Sequence, residues 1–329
     1  MKKFKKILLC FFSLVFFMGG SLIGYSLFGI NALQSGISKD FGDLGIDEDS
    51  MKEIEEIKIK NNFNKDEIVN IALFGIDTRD MKSNKNSRSD SIIIASIDKK
   101  HNKIKLSSIM RDTYVKIDGH GYDKLNHAYA FGGPELAIKT LNQNFGLGIT
   151  DYATVNFFGL EEIIDMIDGV KVDVKDYEVN EINKYIKESA NIQKVKPDLL
   201  TEPGVQTLSG MQAVSYGRIR KVGNGDYERT QRQRTIIIAM INSLKENGLM
   251  NVIKLTGKAS SFAETSLSTS EMVKLATDIL QNMSDFTIEQ KMFPEKGEGK
   301  IIKKVWYMVP DSISDERAGI QKFVFENND

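Results

Sequence analysis

The sequence predicts an α/β domain, layered α/β/α around a mixed central sheet and attached to an N-terminal transmembrane helix. Three observations carry this. Residues 7–30 contain no charged side chain. Short isoleucine-rich runs recur from residue 69 onward, as strands covered on both faces require. Between them lie stretches that open after Pro or Ser and close at Gly, the punctuation of helices. Composition agrees with one substantial core: the chain has 329 residues, 41% of them hydrophobic. With 44 basic and 45 acidic residues, the chain is not globally basic, so nucleic acid is not an expected partner. Any polyanion must be held by a local patch. Cys10 is the single cysteine, which excludes an internal disulfide framework.

The N-terminus sets the compartment. Lys2, Lys3, Lys5 and Lys6 precede ILLCFFSLVFFMGGSLIGYSLFGI. A helix of that length runs about 36 Å, enough to cross a hydrocarbon layer about 30 Å thick. The apolar run exceeds that of a cleaved signal peptide and no A-x-A site follows it. The lysines in front and the acidic residues behind place residues 1–6 in the cytoplasm and everything beyond residue 30 outside the cell membrane. Cys10 then reads as a buried thiol in a membrane helix. Residues 31–64, acidic and then mixed, read as an extracellular stalk with room for a short amphipathic helix, and residues 65–329 as the folded domain.

Within that domain VNIALFGI, SIIIASI and KIKLSSIM are predicted strands. PELAIKTLNQNF is a helix that opens at Pro134 and closes at Gly146, and YATVNF, GLEEIIDMI and VKVDV continue the alternation. In LSGMQAVSYG, Leu208 or Ser209 opens a helix ending near Gly217. A further helix after VGNGD puts Arg229, Gln233, Ile236 and Met240 on one stripe.

If the first three strands form a meander, Asp77, Arg88, Asp90, Arg111 and Asp112 all fall along one edge of the sheet, where ligand sites of layered folds form. Carboxylates beside arginines suit Mg²⁺ shared with phosphate oxygens, and they equally suit ordinary loop ion pairs. The segment YGRIRKVGNGDYERTQRQRT poses the same alternative. Its arginines either form a solvated basic face or gather an anion, and guanidinium forks at a helix start favour a diphosphate. Arg218 and Arg220, two apart, project together if the chain is extended there. Arg232 and Arg234 lie off the stripe and read as solvated or structural. The sequence holds no G-x-S-x-G elbow and no H-E-x-x-H. His101, His120 and His127 are too scattered for a zinc site, and His127 reads as a packed, hydrogen-bonded residue.

The stretches FGIDTRD, SRSDSI, SSIMRDTYV, DKLNHAYAFGGPELAIKTL, VNFFGLEEIIDMIDGVKVDV, LSGMQAVSYGRIR and GDYERTQRQR resemble, in order, the motifs of the LytR-CpsA-Psr family, over a motif core of residues 69–242. Met110 stands where members usually carry proline, and Tyr227-Glu228 replaces a more usual Phe-Gly. The resemblance implies a membrane-anchored extracellular phosphotransferase that moves an anionic glycopolymer, such as wall teichoic acid or capsule, from a polyprenyl diphosphate carrier to peptidoglycan through a phosphodiester. Carried over by motif, Asp77 and Asp90 hold Mg²⁺; Arg88, Arg111, Arg218, Arg220, Arg229 and Gln233 grip the diphosphate, with Arg79 and Lys124 assisting. Arg111 and Asp112 are the catalytic candidates, Asp112 as a possible base. Phe157, Phe158, Ile236 and Met240 are candidates for a lipid tunnel, though aliphatic and aromatic residues at such spacings are more often plain core. A diphosphate hydrolase, a non-catalytic wall-binding module and a transcriptional attenuator remain the alternatives.

Overall fold

The first three runs are isoleucine-rich with few charged residues, and the strands they form cannot leave either face in water. In the computed structural model, which describes residues 40–64, 67–77, 87–247, 262–268, 271–272, 274–275, 278–279 and 286–327, β1 (Ile68–Ile76), β2 (Ser89–Asp98) and β3 (Lys103–Ile109) form the expected antiparallel meander. Two parallel neighbours extend it: β6 (Asp151–Asn156) beside β1, and β10 (Thr287–Phe293) beside β3. β9 (Ala263–Thr265) closes the order β10-β3-β2-β1-β6-β9. The sheet is therefore mixed. Three two-stranded sheets stand outside it: the hairpins β4 (Tyr114–Ile117) with β5 (Gly121–Lys124) and β11 (Gly297–Ile302) with β12 (Val305–Pro310), and the pair β7 (Val170–Val174) with β8 (Gly204–Leu208), which a helix separates in sequence.

Period-two alternation sorts the strand residues between two cores. Ala72, Phe74, Ile76, Ile92 and Ile94 face one side, packed with α1 (Glu48–Lys60), α2 (Leu125–Phe145) and α7 (Ile313–Phe325). Ile71, Ile93, Ala95 and Ile97 face the other, where α6 (Gly225–Asn247) covers them. A third cluster joins α3 (Phe157–Met166), α4 (Asp176–Gln193) and α5 (Gly210–Gly217) to the β7–β8 pair. Each fully buried aliphatic side chain in these layers contributes about 1.5–3 kcal/mol. Lys105, 1% exposed inside β3, donates from Nζ to the carbonyls of Val324 and Glu326 and so caps α7 from within the sheet.

The helix boundaries follow local chemistry. Ser209 caps α5 in a capping box with Gln212, whose Oε1 accepts from Ser209 N–H at 2.9 Å. The stretch 125–145 is two helices meeting at Gly132–Gly133, where Gly133 has φ +64°, and the second opens at Pro134 as the sequence predicts. That second helix closes at Gly146.

The stalk reading of residues 31–64 needs correction over its described part. Leu44, Ile46, Ile54 and Phe63 are buried in the main core, and Glu53 pairs with Arg317 of α7. Ile54 and Ile57 dock against the main core, so the folded domain includes residues 44–63. The predicted span 7–30, with Cys10, lies outside the described residues. Among the described residues no helix is long and apolar enough to cross a membrane.

Candidate active site

Strand direction decides where the chemistry gathers. β1, β3, β6 and β10 all finish at one edge of the sheet and β2 starts there. At that edge the β1–β2 ladder slips: Gly75 pairs with Ser91 and Ile76 with Ser89, leaving Asp90 without a partner across the strand. Such a bulge re-aims a side chain, and Asp90 is turned toward the residue that follows β3. Arg111 Nη1 lies 2.7 Å from Asp90 Oδ2, and Arg220 Nη2 lies 3.4 Å from the same oxygen. Asp90 Oδ1 is buried with no hydrogen-bond partner.

The ladder of charge continues. Arg220 Nε stands 3.9 Å from Asp226 Oδ1, and Asp226 Oδ2 accepts from Arg229 Nη2 at 2.7 Å. Arg229 is 2% exposed, and its Nε and Nη1 have no partner. Burial first, and then the neighbouring charge of Arg111, pull its guanidinium down to about 10. A buried cation with two idle donors among other guanidiniums is an arrangement that an incoming polyanion completes.

On the other flank Arg111 Nε lies 3.2 Å from Asp112 Oδ2 and Lys124 Nζ 2.5 Å from Asp112 Oδ1. Burial pushes the Asp112 carboxyl up, but the Lys124 hydrogen bond and the Arg111 charge outweigh it and hold it below the ordinary carboxylate value. Both its oxygens are occupied, so Asp112 positions two cations and is a poor base. The backbone is fixed as firmly: Asn126 N–H donates to the Arg111 carbonyl and Leu125 N–H to that of Thr113, which uses the first amides of α2 as its anchor. Met110 donates its N–H to the Phe293 carbonyl at 2.8 Å, a bond that proline at this position lacks.

Behind the charged edge an apolar cavity of about 340 Å³ runs between the sheet and α3, α5 and α6. Phe157, Ile236 and Met240 line it; Arg218 and Gln233 also border it. Gly217 sits where a Cβ would come within 2.8 Å of Ile236 Cδ1, so glycine keeps α5 close to α6 at this wall.

The family model for LytR_cpsA_psr matches residues 43–319, most of this chain. The chain belongs to the LytR-CpsA-Psr family. A polyisoprenyl-teichoic acid–peptidoglycan teichoic acid transferase, TagU of Oceanobacillus iheyensis, is 32% identical over 313 residues, 92% of this chain and 87% of its own. Among solved structures, TagT bound to LI-WTA aligns with TM-score 0.62 and 27% identity, over 79% of this chain and 90% of the other. TagT with bound octaprenyl pyrophosphate lipid aligns with TM-score 0.58 and 25% identity, over 79% and 91%.

In this LytR-CpsA-Psr protein the structure brings together Asp90, Arg111, Asp112, Lys124, Arg220 and Arg229 as the sequence anticipates. Asp77 is exposed at the end of β1, level with the exposed Arg88 that leads into β2. Arg79 lies outside the described residues. Two expectations are corrected. Arg218 does not project beside Arg220, because it takes helical angles (φ −93°, ψ −10°) at the end of α5. Its guanidinium is sandwiched between Phe157 and Tyr185, 5.1 and 4.9 Å from their ring centres, with Glu188 and Ser189 as partners. Phe158, adjacent to Phe157 and therefore turned about 100° away around α3, is not on the cavity wall. Of the two readings left open for Arg232 and Arg234, solvated or structural, the structure takes the structural one: both are buried, Arg232 between Glu178 and Glu228 and Arg234 beside Gln290. Glu228, one of the departures from the family pattern, thus carries a buried ion pair.

Sequence reasoning missed Asp226, whose acidic neighbours in a basic run looked like dilution. It also missed Leu73, Ser91, Ile163, Ile237 and Leu244 on the cavity wall. The helical spacing 233, 236, 237, 240, 241, 244 was readable as a stripe wider than one lipid-facing row needs for core packing alone. His127 hydrogen-bonds Asp123 through Nδ1 at 2.8 Å, a packed role as read.

Proposed function

We propose that this protein is a membrane-anchored extracellular phosphotransferase that transfers a teichoic-acid-like glycopolymer from a polyprenyl diphosphate carrier to a peptidoglycan hydroxyl. One observation carries the reading: a buried guanidinium with two unpartnered nitrogens, Arg229, stands beside a carboxylate with an unpartnered oxygen, Asp90, close to an apolar cavity sized for isoprene units. The names of the related TagU and TagT proteins point the same way. The uncharged run 7–30 supplies the anchor, with the lysines on its cytoplasmic side.

The lipid lies in the cavity and the diphosphate against Arg111, Arg220 and Arg229, with Arg218 and Gln233 at the wall. Attack by the acceptor oxygen at the phosphorus next to the sugar breaks its bond to the bridging oxygen; the lipid monophosphate leaves, and the acceptor's proton goes to solvent or to the leaving phosphate. Negative charge grows on that phosphate in the transition state, and fixed guanidiniums in a water-poor site stabilise it. Asp112 keeps Arg111 and Lys124 aimed. Asp90 and Asp77 would hold Mg²⁺. The unpartnered Oδ1 of Asp90 fits a hard cation, whose remaining positions phosphate oxygens and water would fill. When bound, the ion supplies further charge neutralisation of the diphosphate.

The deciding experiment incubates the full chain in detergent with a polyprenyl-diphosphate-linked teichoic acid precursor, Mg²⁺ and peptidoglycan oligomers, and weighs the products. A conjugate joined by one phosphodiester, with lipid monophosphate in equal amount, is expected. Glycan phosphate and lipid monophosphate alone would make the protein a hydrolase.

A further inference from the structure

The β4–β5 hairpin carries an aromatic surface that the proposed diphosphate chemistry does not use. Its register puts Tyr114 opposite Lys124 and Lys116 opposite Tyr122, so these four side chains share one face. Tyr122, 61% exposed, stacks on Tyr114 with ring centres 5.3 Å apart and 28° between planes. Tyr307, brought in by β12, meets Tyr114 edge-on at 5.0 Å. A bridge between Thr113 and Met308 fixes the two hairpins together, and Met308 N–H donates to the Asp112 carbonyl at 2.9 Å. Lys124 belongs to both regions: its Nζ binds Asp112 and lies 5.6 Å from the centre of the Tyr307 ring.

Position relative to the sheet gives this surface its meaning. The apolar cavity lies on the face to which Leu73 and Ile93 point. Val115, Ile117 and Leu125, which root the hairpin, pack on the opposite face with Ala72, Ile76 and Ile92. The charged edge formed by Asp90 and Arg111 stands between the two. In a displacement at phosphorus the entering and leaving oxygens lie in line, on opposite sides of the reacting atom. A lipid phosphate departing toward the cavity therefore has its attacker approach from the hairpin side.

The geometry points to Tyr114, Tyr122 and Tyr307 as a stacking platform for the pyranose rings of the acceptor glycan, which delivers its hydroxyl to the phosphorus past Lys124. Exposed aromatic faces rimmed by hydrogen-bonding groups suit a sugar ring, whose C–H face is apolar and whose edge carries hydroxyls. Asp123 and the Tyr307 hydroxyl, 3.3 Å apart, supply such a rim. Lys116, exposed on the same hairpin face, supplies a cation for a carboxylate of the peptide stem that a muramyl unit carries. This assignment rests on the phosphotransferase reading and names the subsite of its second substrate.

The test uses the full chain in detergent and a soluble peptidoglycan tetrasaccharide, with binding followed by saturation-transfer NMR and transfer kinetics measured in parallel. Wild type binds the tetrasaccharide; Tyr122→Ala weakens binding and raises the acceptor KM by about fivefold to tenfold, the loss expected of one aromatic contact, while Tyr122→Phe restores both. Unchanged affinity in Tyr122→Ala, or no tetrasaccharide binding by wild type, overturns the platform. A rise in the KM for the lipid-linked donor instead assigns the tyrosines to the donor and equally overturns it. Polyprenyl diphosphate binding is read separately: its absence in wild type would sink the phosphotransferase reading, whereas its presence beside an indifferent Tyr122→Ala sinks the platform alone.

Discussion

Arg220 Nη2 reaches within 3.4 Å of Asp90 Oδ2 across 130 positions of sequence. The contact joins the loop after α5 to a bulged residue of β2, and Arg111 meets the same oxygen from the end of β3. One carboxylate thereby sets the positions of two guanidiniums and still presents its other oxygen to the site.

Replacing Asp90 by Asn keeps the shape and removes the charge that aligns both arginines. Transfer should fall by about 10² to 10³-fold, the cost of one preorganised electrostatic element, with the thermal midpoint changed by only a few degrees. In wild type, excess chelator should abolish transfer and added Mg²⁺ restore it. Full activity under chelation would remove the metal from the reading, and full activity of the variant would remove Asp90.

Arg229 predicts a conflict between stability and function. Its guanidinium, drawn down to about 10 by burial, is charged at neutral pH at a cost of about 3 kcal/mol. Arg229→Met should raise the thermal midpoint by several degrees and weaken polyprenyl diphosphate binding by about tenfold or more. The sign of the pH dependence follows. A diphosphate favours the charged form, so the bound protein holds this proton to higher pH than the free one, and wild-type affinity falls as pH rises through about 10. Calorimetry on both proteins across that range checks it; a less stable Arg229→Met would contradict the burial argument.

Asp112 contributes in the opposite pH region. Its folded value is depressed below 3.8, so its stabilisation is fully present above that value and is lost as pH falls below it through the folded value. Urea titrations of wild type and Asp112→Asn should differ at pH 6 and approach one another only as pH falls below about 3.8 toward the folded value. A transfer rate that tracks protonation of Asp112 at higher pH would restore it as a base.

The cavity predicts chain-length selectivity. Met240→Trp fills space that Ile236 and Met240 now border, so a long polyprenyl diphosphate should lose about tenfold or more in affinity while inorganic diphosphate binds as before. Equal losses for both ligands would place the lipid elsewhere.

Much of the fold was legible because burial leaves a period in the sequence. Continuous isoleucine-rich runs marked β1 to β3, Pro134 after two glycines marked the opening of the second helix of α2, and Leu208 or Ser209 marked the start of α5. Residues 44–63 were not legible as part of the domain, since four buried side chains in twenty positions look like a linker until α7 and α2 supply the surface they cover. The candidate site divides the same way. Asp90, Arg111 and Arg229 were readable from strand ends and a helix stripe. The burial of Arg232 and the turning away of Arg218 were not, because Glu178 and Tyr185 come from a helix some forty residues upstream.

The sequence alone determined which faces are apolar, where strands end and which charged residues stand at those ends, since each depends on neighbours within a few positions along the chain. The tertiary structure decided which guanidinium meets which carboxylate, which polar atoms stay unpartnered, and that an apolar cavity lies behind the charged edge. Those outcomes depend on pairings between separate segments, 130 positions apart for Arg220 and Asp90, and side-chain periodicity records that a face is covered without recording what covers it.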